Sequence, residues 1–457
     1  MSRLIVISNR VSAATSSGAG SQGGLAVALT AALREYRGFW FGWSGEVTEE
    51  FTGHIHFERE GGVTTATVDL EEQDVDEYYN GYANRTLWPL FHYRIDLAEY
   101  ERDFAGGYQR ANERFADTVC PLIETDDVVW VQDYHMIPLG DLLRKRGSRN
   151  RIGFFLHTPW PPRRLLLTLP EAPTLVRTMF AYDVIGFHTD EWLQSFVDFA
   201  VLECGGTYAD EILRVDDREV RLIVCPIGID ADDFAELARG DEARKTHKLM
   251  VESANSRALI VGVDRLDYSK GLEERFLGYE RFLLENPDER KLVFLLQIAP
   301  PSRGAVESYQ RIRAELEGLS GRINGAHADL DWVPIRYVNQ GYSRDVLAGV
   351  YRAARIGLVT PLRDGMNLVA KEFVAAQDPE DPGVLILSRF AGASVQLKDA
   401  LLVNPYSAEE MSDAIRTALA MPKEERVRRW QAMFDNVRTE DVLWWRQRFT
   451  DALLAAD

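Results

Sequence analysis

Short apolar runs recur along the chain, each closed by polar or Gly/Pro residues. In the first half they are Leu4–Ser8, Val128–Gln132, Gly153–His157, Val184–His188 and Leu222–Cys225. In the second half they are Leu259–Val263, Leu292–Gln297, Ile335–Val338, Ile356–Thr360, Val384–Ser388 and Leu401–Val403. Runs this short, rich in β-branched residues, predict buried parallel strands. Helical patterns lie between them, as at residues 25–36 and 407–420, the latter opening with the capping box Ser407-x-x-Glu410. Strands alternating with helices predict an α/β fold of doubly wound sheets. The series breaks at the charged stretch Ala231–Ser256, just after the turn-like Pro226–Asp230, and restarts at Leu259. Two α/β domains are therefore expected, over residues 1–229 and 230–429. The end of the chain, with Trp430, Met433, Phe434, Trp444, Trp445 and Phe449, reads as amphipathic helix that needs a surface to cover. A C-terminal helix over about 430–457 is expected to pack back on the first domain.

Composition narrows the function. The 457 residues carry 52 Lys+Arg against 71 Asp+Glu, a net charge of −19. That argues against a non-specific nucleic-acid binder, which needs a basic surface to displace counterions. It leaves anionic small molecules open, provided a local cluster of Arg and Lys receives them. With 46% hydrophobic and 27% charged residues, the chain is expected to fold rather than stay disordered. No stretch approaches the ~18 apolar residues of a membrane span, and the apolar run near the N-terminus is too short for a signal-peptide core. Cys120, Cys204 and Cys225 are odd in number and show no disulfide or metal spacing, which points to a reducing cytoplasm.

Candidate chemistry collects where the predicted strands end. Gly18-Ala-Gly20-Ser-Gln-Gly23 matches a dinucleotide fingerprint literally, but it starts ten residues after the strand, and no acidic residue closes a second strand ~20 positions on. Gly23-Gly24 reads better as a helix opening whose bare N–H groups hold a phosphate. Asn9-Arg10, Asp133 and His157 sit at or just past the ends of three strands, the edge where open α/β sheets bind ligands. On these residues alone a mobile surface loop, a solvated Arg and a satisfied core histidine stay open. A sharper cluster is Asp264-Arg265-Leu-Asp267-Tyr-Ser-Lys270-Gly271, which puts two cations on one loop leading into a helix. Such a loop can hold a diphosphate without a metal. Arg303 lies on another strand exit, after Gln297. Asp364 and Glu372, in Thr360-Pro-Leu-Arg-Asp364-Gly365-Met366-Asn367-Leu-Val-Ala-Lys371-Glu372, can grip different parts of one long ligand if a helix begins near Asn367. The D-x-D pairs at Asp74/Asp76, Asp230/Asp232 and Asp329/Asp331 are cheap matches in so acidic a chain, and no metal site is expected.

Taken in order, these stretches resemble the trehalose-6-phosphate synthase family, retaining glycosyltransferases of the GT-B type with two Rossmann-like domains facing across a cleft. The resemblance runs over nearly the whole chain. It is strongest at Phe39–Gly45, Glu77–Tyr93, Asp133–His135, Arg265–Glu274, Gln297–Gly304 and Thr360–Gln377. It implies an N-terminal acceptor domain and a C-terminal nucleotide-sugar domain. Gly23 and Gly24 would face the donor diphosphate, and Arg265 and Lys270 would neutralise it as the nucleotide leaves. Glu372 would bind the ribose, and Asp364 with the N–H groups that follow, at Gly365, Met366 and Asn367, the donor glucose. Leu368, Val369, Ala370 and Lys371 would line the same site, with Tyr342 beside the base. Arg10, Tyr79 and Arg303 would hold the phosphate of glucose 6-phosphate, Asp133 and Trp88 its ring. His157 would align the donor sugar.

The implied reaction moves glucose from a nucleotide-glucose to glucose 6-phosphate with retention, by front-face attack and without cofactor or metal. UDP-glucose is the family default, with GDP-glucose or ADP-glucose left open. Thr158, Trp160 and Tyr342 depart from the family pattern around the donor. A glycerol 3-phosphate acceptor and a silent sugar-phosphate sensor are the competing readings. A separate trehalose-6-phosphate phosphatase would act downstream, neither nucleic acid nor membrane is an expected partner, and a homo-oligomer, dimer or tetramer, is left open.

Overall fold

The computed structural model describes residues 3–11, 29, 33, 38–60, 62–302 and 306–455. They divide into two compact units. One holds the chain up to Pro226 together with the segment from Trp445, and the other holds Ile227–Trp444.

In the first unit the strands are β1 (Leu4–Arg10), β2 (Phe39–Thr48), β3 (His56–Glu60), β4 (Val63–Glu71), β5 (Val128–Gln132), β6 (Arg151–Phe155), β7 (Val184–Phe187), β8 (Thr207–Ala209), β9 (Ile212–Val215) and β10 (Arg218–Val224). They form one sheet in the order β3-β4-β2-β1-β5-β6-β7-β10-β9-β8. Its centre is parallel, while β3 and the hairpin strands β8 and β9 pair antiparallel at the two ends. The central strands are buried on both faces, and all five residues of β5 are inaccessible or nearly so. The order reverses between β1 and β5, and Asn9, Arg10 and Asp133 leave the sheet at that point.

The second unit has six strands, β11 (Ala258–Val263), β12 (Val293–Ile298), β13 (Ile335–Val338), β14 (Ile356–Val359), β15 (Val384–Ser388) and β16 (Leu401–Val403). Their order is β13-β12-β11-β14-β15-β16, and every neighbouring pair is parallel. This is the Rossmann arrangement, with its ligand crevice beyond the carboxyl ends of β11 and β14. Each of the eleven apolar runs read from the sequence lies on an observed strand. The charged stretch after 230 folds into two helices, Ala231–Leu237 and Asp241–Ala254. Only half of the capping box forms: Ser407 Oγ accepts from the Glu410 N–H at the start of the helix Ala408–Ala420, but the Glu410 carboxylate accepts from the Asn404 N–H and Arg389 instead of the Ser407 N–H, which donates to the Asn404 carbonyl. The helix expected at 25–36 falls largely outside the described residues, of which Leu29 and Leu33 are helical and buried.

The aromatic end of the chain divides between the units. The helix Lys423–Thr439 belongs to the second, whereas the helix Val442–Leu454 passes from Trp444 of the second to Trp445 of the first. Trp445 and Phe449 pack on Trp130 of β5 at ring distances of 4.9 and 4.6 Å. Buried aromatics hide roughly 150–250 Å² each, so at ~25 cal/mol per Å² these two contribute several kcal/mol to the first unit. No helix among the described residues is long and apolar enough to cross a membrane.

Candidate functional site

In the first unit the segment after β4 turns into a wide π-helix, Val75–Leu87, whose i→i+5 pattern continues to the Trp88 N–H bonded to the Ala83 carbonyl. Such segments are rare and cluster at functional sites. It is held from below by a buried carboxylate: Asp74 is fully inaccessible and accepts from Arg110 Nε at 2.8 Å and from Arg114. From above, Tyr78 donates its hydroxyl to Asn9 Oδ1 at 2.6 Å, tying the π-helix to the end of β1. Aromatic contacts then link the expected acceptor residues. The Arg10 guanidinium lies over Trp43 at 5.6 Å, Trp43 meets Tyr79 edge-on at 5.4 Å, and Tyr79 stacks on His135 at 6.1 Å. Tyr134, next to Asp133, contacts Trp88 at 5.7 Å. Gly45 sits at φ +99°, and a Cβ there would lie 2.4 Å from Arg10 Nη2, so glycine keeps open the space the guanidinium fills.

Asp133 adopts φ +73°, unusual for a residue with a side chain. It persists because two hydrogen bonds fix it: its N–H donates to the Phe155 carbonyl at 2.8 Å, and its Oδ1 accepts from the His157 N–H at 3.1 Å. His157 Nε2 contacts Gln132 Oε1 at 2.9 Å, and enclosure by the surrounding atoms pushes its imidazole down to about 3. The ring is therefore neutral at physiological pH, and the residue as a whole is half-buried. Arg10, Tyr79, Trp88, Asp133 and His157 thus gather at one edge of the first unit's sheet. Gly23, Gly24 and Arg303 lie outside the described residues.

In the second unit the loops after β11 and β14 meet. Lys270 Nζ donates to Asp364 Oδ2 at 2.5 Å, and Asn367 Nδ2 reaches the same oxygen at 3.1 Å. Asn367, at φ +75°, caps the helix Leu368–Ala376 by accepting from the Ala370 N–H. The start of that helix points unsatisfied N–H groups toward the loop, which favours an anion or sugar oxygens there. Arg265 is exposed on the loop that Lys270 closes. Tyr342 is half-buried on the exit from β13, and Gly365 and Met366 are buried between Asp364 and the cap. Inside the helix, Lys371 turns its ammonium to the Ile227 carbonyl at 2.7 Å, and burial pushes its pKa down to about 7. Glu372 keeps part of its surface open, yet protein packs round it densely enough for desolvation to push its carboxyl up to about 7.

The literal D-x-D pairs are occupied by structural work. Asp74 anchors two arginines, Asp230 caps the helix Ala231–Leu237, and Asp329 and Asp331 pair with Lys291 and Arg257. Sequence reasoning missed Arg275, which is wholly buried beneath the Lys270 loop. It follows Glu273 and Glu274 in a charged run, so nothing local separates it from a solvated helix arginine.

Comparison with known proteins agrees along the full length. The profile of the family described as Glycosyltransferase family 20 matches residues 2–455. The trehalose-6-phosphate synthase of Sinorhizobium fredii is 49% identical over 459 residues, covering 100% of this chain and 99% of its own. A crystal structure of the UDP-forming α,α-trehalose-phosphate synthase from Burkholderia xenovorans, in complex with glucose 6-phosphate, is 48% identical. It superposes with a TM-score of 0.96, over 99% of this chain and 100% of that one. An E. coli structure named for trehalose 6-phosphate and bound with UDP-2-fluoro glucose is 44% identical, with a TM-score of 0.95 over 99% of each chain.

Proposed function

This chain belongs to glycosyltransferase family 20 and, within it, to the trehalose-6-phosphate synthases; from that membership we propose that it transfers glucose from UDP-glucose to glucose 6-phosphate with retention at the anomeric carbon. The products are α,α-trehalose 6-phosphate and UDP. The observation that carries the reading is the Lys270–Asp364–Asn367 cluster at the switch point of the second sheet, beside Arg265 and the open start of the helix Leu368–Ala376. A cation, a carboxylate and bare N–H groups in one place suit a diphosphate joined to a sugar. The acceptor side rests on Arg10, Tyr79, Trp88 and Asp133 at the edge of the first sheet, with Arg303 assigned by resemblance; the Gly23-Gly24 pair is assigned by resemblance to the donor diphosphate. A similar protein has been solved with glucose 6-phosphate and another with UDP-2-fluoro glucose, which favours this pair of substrates.

In this reading the acceptor hydroxyl attacks on the face from which the diphosphate departs. A phosphate oxygen of the leaving group takes the proton, so no protein base is required. Arg265 and Lys270 stabilise the charge that grows on the leaving oxygen. Asp364 and Asn367 hold the glucose hydroxyls, Glu372 the ribose, and the enclosed, neutral His157 aligns the sugar without adding charge. The product keeps the acceptor's phosphate, so a separate phosphatase is the reaction class that consumes it. Nucleotide sugars and hexose phosphates are cytoplasmic metabolites, which supports a cytoplasmic location.

The test is a nucleotide-release assay crossing UDP-, GDP- and ADP-glucose with glucose 6-phosphate and glycerol 3-phosphate. Release from UDP-glucose that depends on glucose 6-phosphate is expected. Preference for another donor, or for glycerol 3-phosphate, would overturn the assignment, and binding without release would identify a sensor.

A further inference from the structure

Arg275 lies in the helix Leu272–Glu285 with no accessible surface. Its guanidinium is spread over four acceptors. Nη1 donates to Asp264 Oδ2 at 2.5 Å and to Gln297 Oε1 at 2.8 Å. Nε donates to Thr360 Oγ1 at 3.0 Å, and Nη2 reaches the Lys270 carbonyl at 3.4 Å. Three of these acceptors stand where β11, β12 and β14 end, and the fourth is the last residue before the helix turn at Gly271. Burying a guanidinium costs several kcal/mol even when it is paired, and a well-packed apolar side chain of similar volume would fill the space at lower cost. Stability alone therefore gives a poor account of this residue.

The placement of the acceptors gives a better one. Asp264 opens the loop that carries Arg265, and Lys270 closes it, so one side chain grips both ends of that loop. Resting on the donor-site reading above, we propose that Arg275 is a positioning residue for the transfer reaction. It fixes the span between Asp264 and Lys270, and thereby sets where the Arg265 and Lys270 cations meet the donor diphosphate. Lysine would keep the charge but lose the planar fork that serves several acceptors at once. The neighbouring chain leaves room for this clamp: at Gly262 a Cβ would lie 2.4 Å from Gln297 Oε1 and 2.7 Å from Arg275 Nη1. Gly262→Ala therefore displaces the same fork from outside, without touching its charge.

The experiment compares wild type, Arg275→Lys and Gly262→Ala by titration calorimetry with UDP and, separately, with glucose 6-phosphate. Steady-state kinetics and melting temperatures accompany it. Displacement of catalytic cations by ~1 Å can cost about a hundredfold in rate. Both variants are expected to lose about tenfold or more in UDP affinity and about ten- to a hundredfold in kcat. Glucose 6-phosphate affinity should stay within about twofold of wild type, because Arg10, Tyr79, Trp88 and Asp133 lie on the other unit and Arg303, assigned by resemblance, stands outside the span from Asp264 to Lys270. If Arg275→Lys does not fold, Gly262→Ala carries the test by itself. Wild-type UDP affinity and turnover in a folded variant would overturn the clamp alone. So would a parallel fall in UDP and glucose 6-phosphate affinity that tracks the melting temperature, the mark of general loosening. A wild-type protein that binds none of UDP, GDP and ADP would overturn the donor-site reading, and the clamp with it.

Discussion

Lys270→Ala separates the stabilising role of the Lys270–Asp364 pair from its chemical one. The two groups are 2.5 Å apart, with 12% and 14% of their side chains exposed, so the pair is largely shielded from water. Unit charges about 4 Å apart attract by roughly 4 kcal/mol at an effective dielectric of ~20, and desolvation offsets much of that. Truncating one partner of a buried pair costs about 3–5 kcal/mol, because the other charge is left behind. Asp364 also accepts from Asn367 at 3.1 Å, so the low end, about 3 kcal/mol, is expected for Lys270→Ala. Adding Asp364→Asn removes the residual charge and should restore most of that stability. Turnover should not follow. In the proposed reaction the ammonium faces charge that grows as the diphosphate leaves, and removing such a donor typically costs about 10²–10³ in kcat. The double variant should be at least as slow as Lys270→Ala, since Asp364 is expected to hold the donor sugar. Denaturant unfolding supplies the stabilities, and nucleotide release under saturating substrates supplies kcat. A defect confined to donor KM, or turnover regained in the double variant, would refute this division of labour.

Three further outcomes are expected. Glu372, with its carboxyl pushed up to about 7, should bind ribose hydroxyls best when ionised. UDP affinity should then rise between about pH 6 and 8, with proton release on binding seen by calorimetry in two buffers, and Glu372→Gln should abolish both. Arg10→Ala should raise the glucose 6-phosphate KM by about tenfold or more, the loss of a charge-assisted hydrogen bond worth roughly 1.5–3 kcal/mol, while UDP affinity measured alongside stays constant. For Lys371, the folded pKa of about 7 lies below the ordinary lysine value of 10.5, so the unfolded chain holds the extra proton between them. Stability should therefore rise with pH across that window, by up to ~1.4 kcal/mol per unit, and Lys371→Met should flatten the rise. Parallel unfolding profiles for wild type and Lys371→Met would contradict it.

Central parallel strands such as β1, β5, β12, β14 and β15 were legible because they bury both faces and so leave an unbroken apolar run. The strands that escaped reading do not. β2 starts as Phe39-Trp-Phe41 in the core and leaves it by Ser44, β8 is a largely exposed edge strand, and β9 beside it buries only alternate residues. The π-helix carries no signature that a 3.6-residue period would register. Within the candidate site, Arg10, Asp133, Arg265, Lys270 and Asp364 were legible because each stands at a strand exit, where ligands bind. Arg275 was not, because its side-chain partners lie 11, 22 and 85 residues away and only the tertiary fold brings them together. The same holds for the Ile227 carbonyl that takes the Lys371 ammonium across 144 positions.

The return of the chain at Trp445 has a consequence for the order of folding. During synthesis most of the first unit emerges early, but Trp130 lacks its cover of Trp445 and Phe449 until the segment from Trp445 leaves the ribosome. The second unit, continuous from Ile227 to Trp444, is complete before then. Domains otherwise tend to mature from the N-terminus onward. Here the half made first is finished last, and a chain that stops just before Trp445 holds the second unit whole and a first unit with its central tryptophan bare.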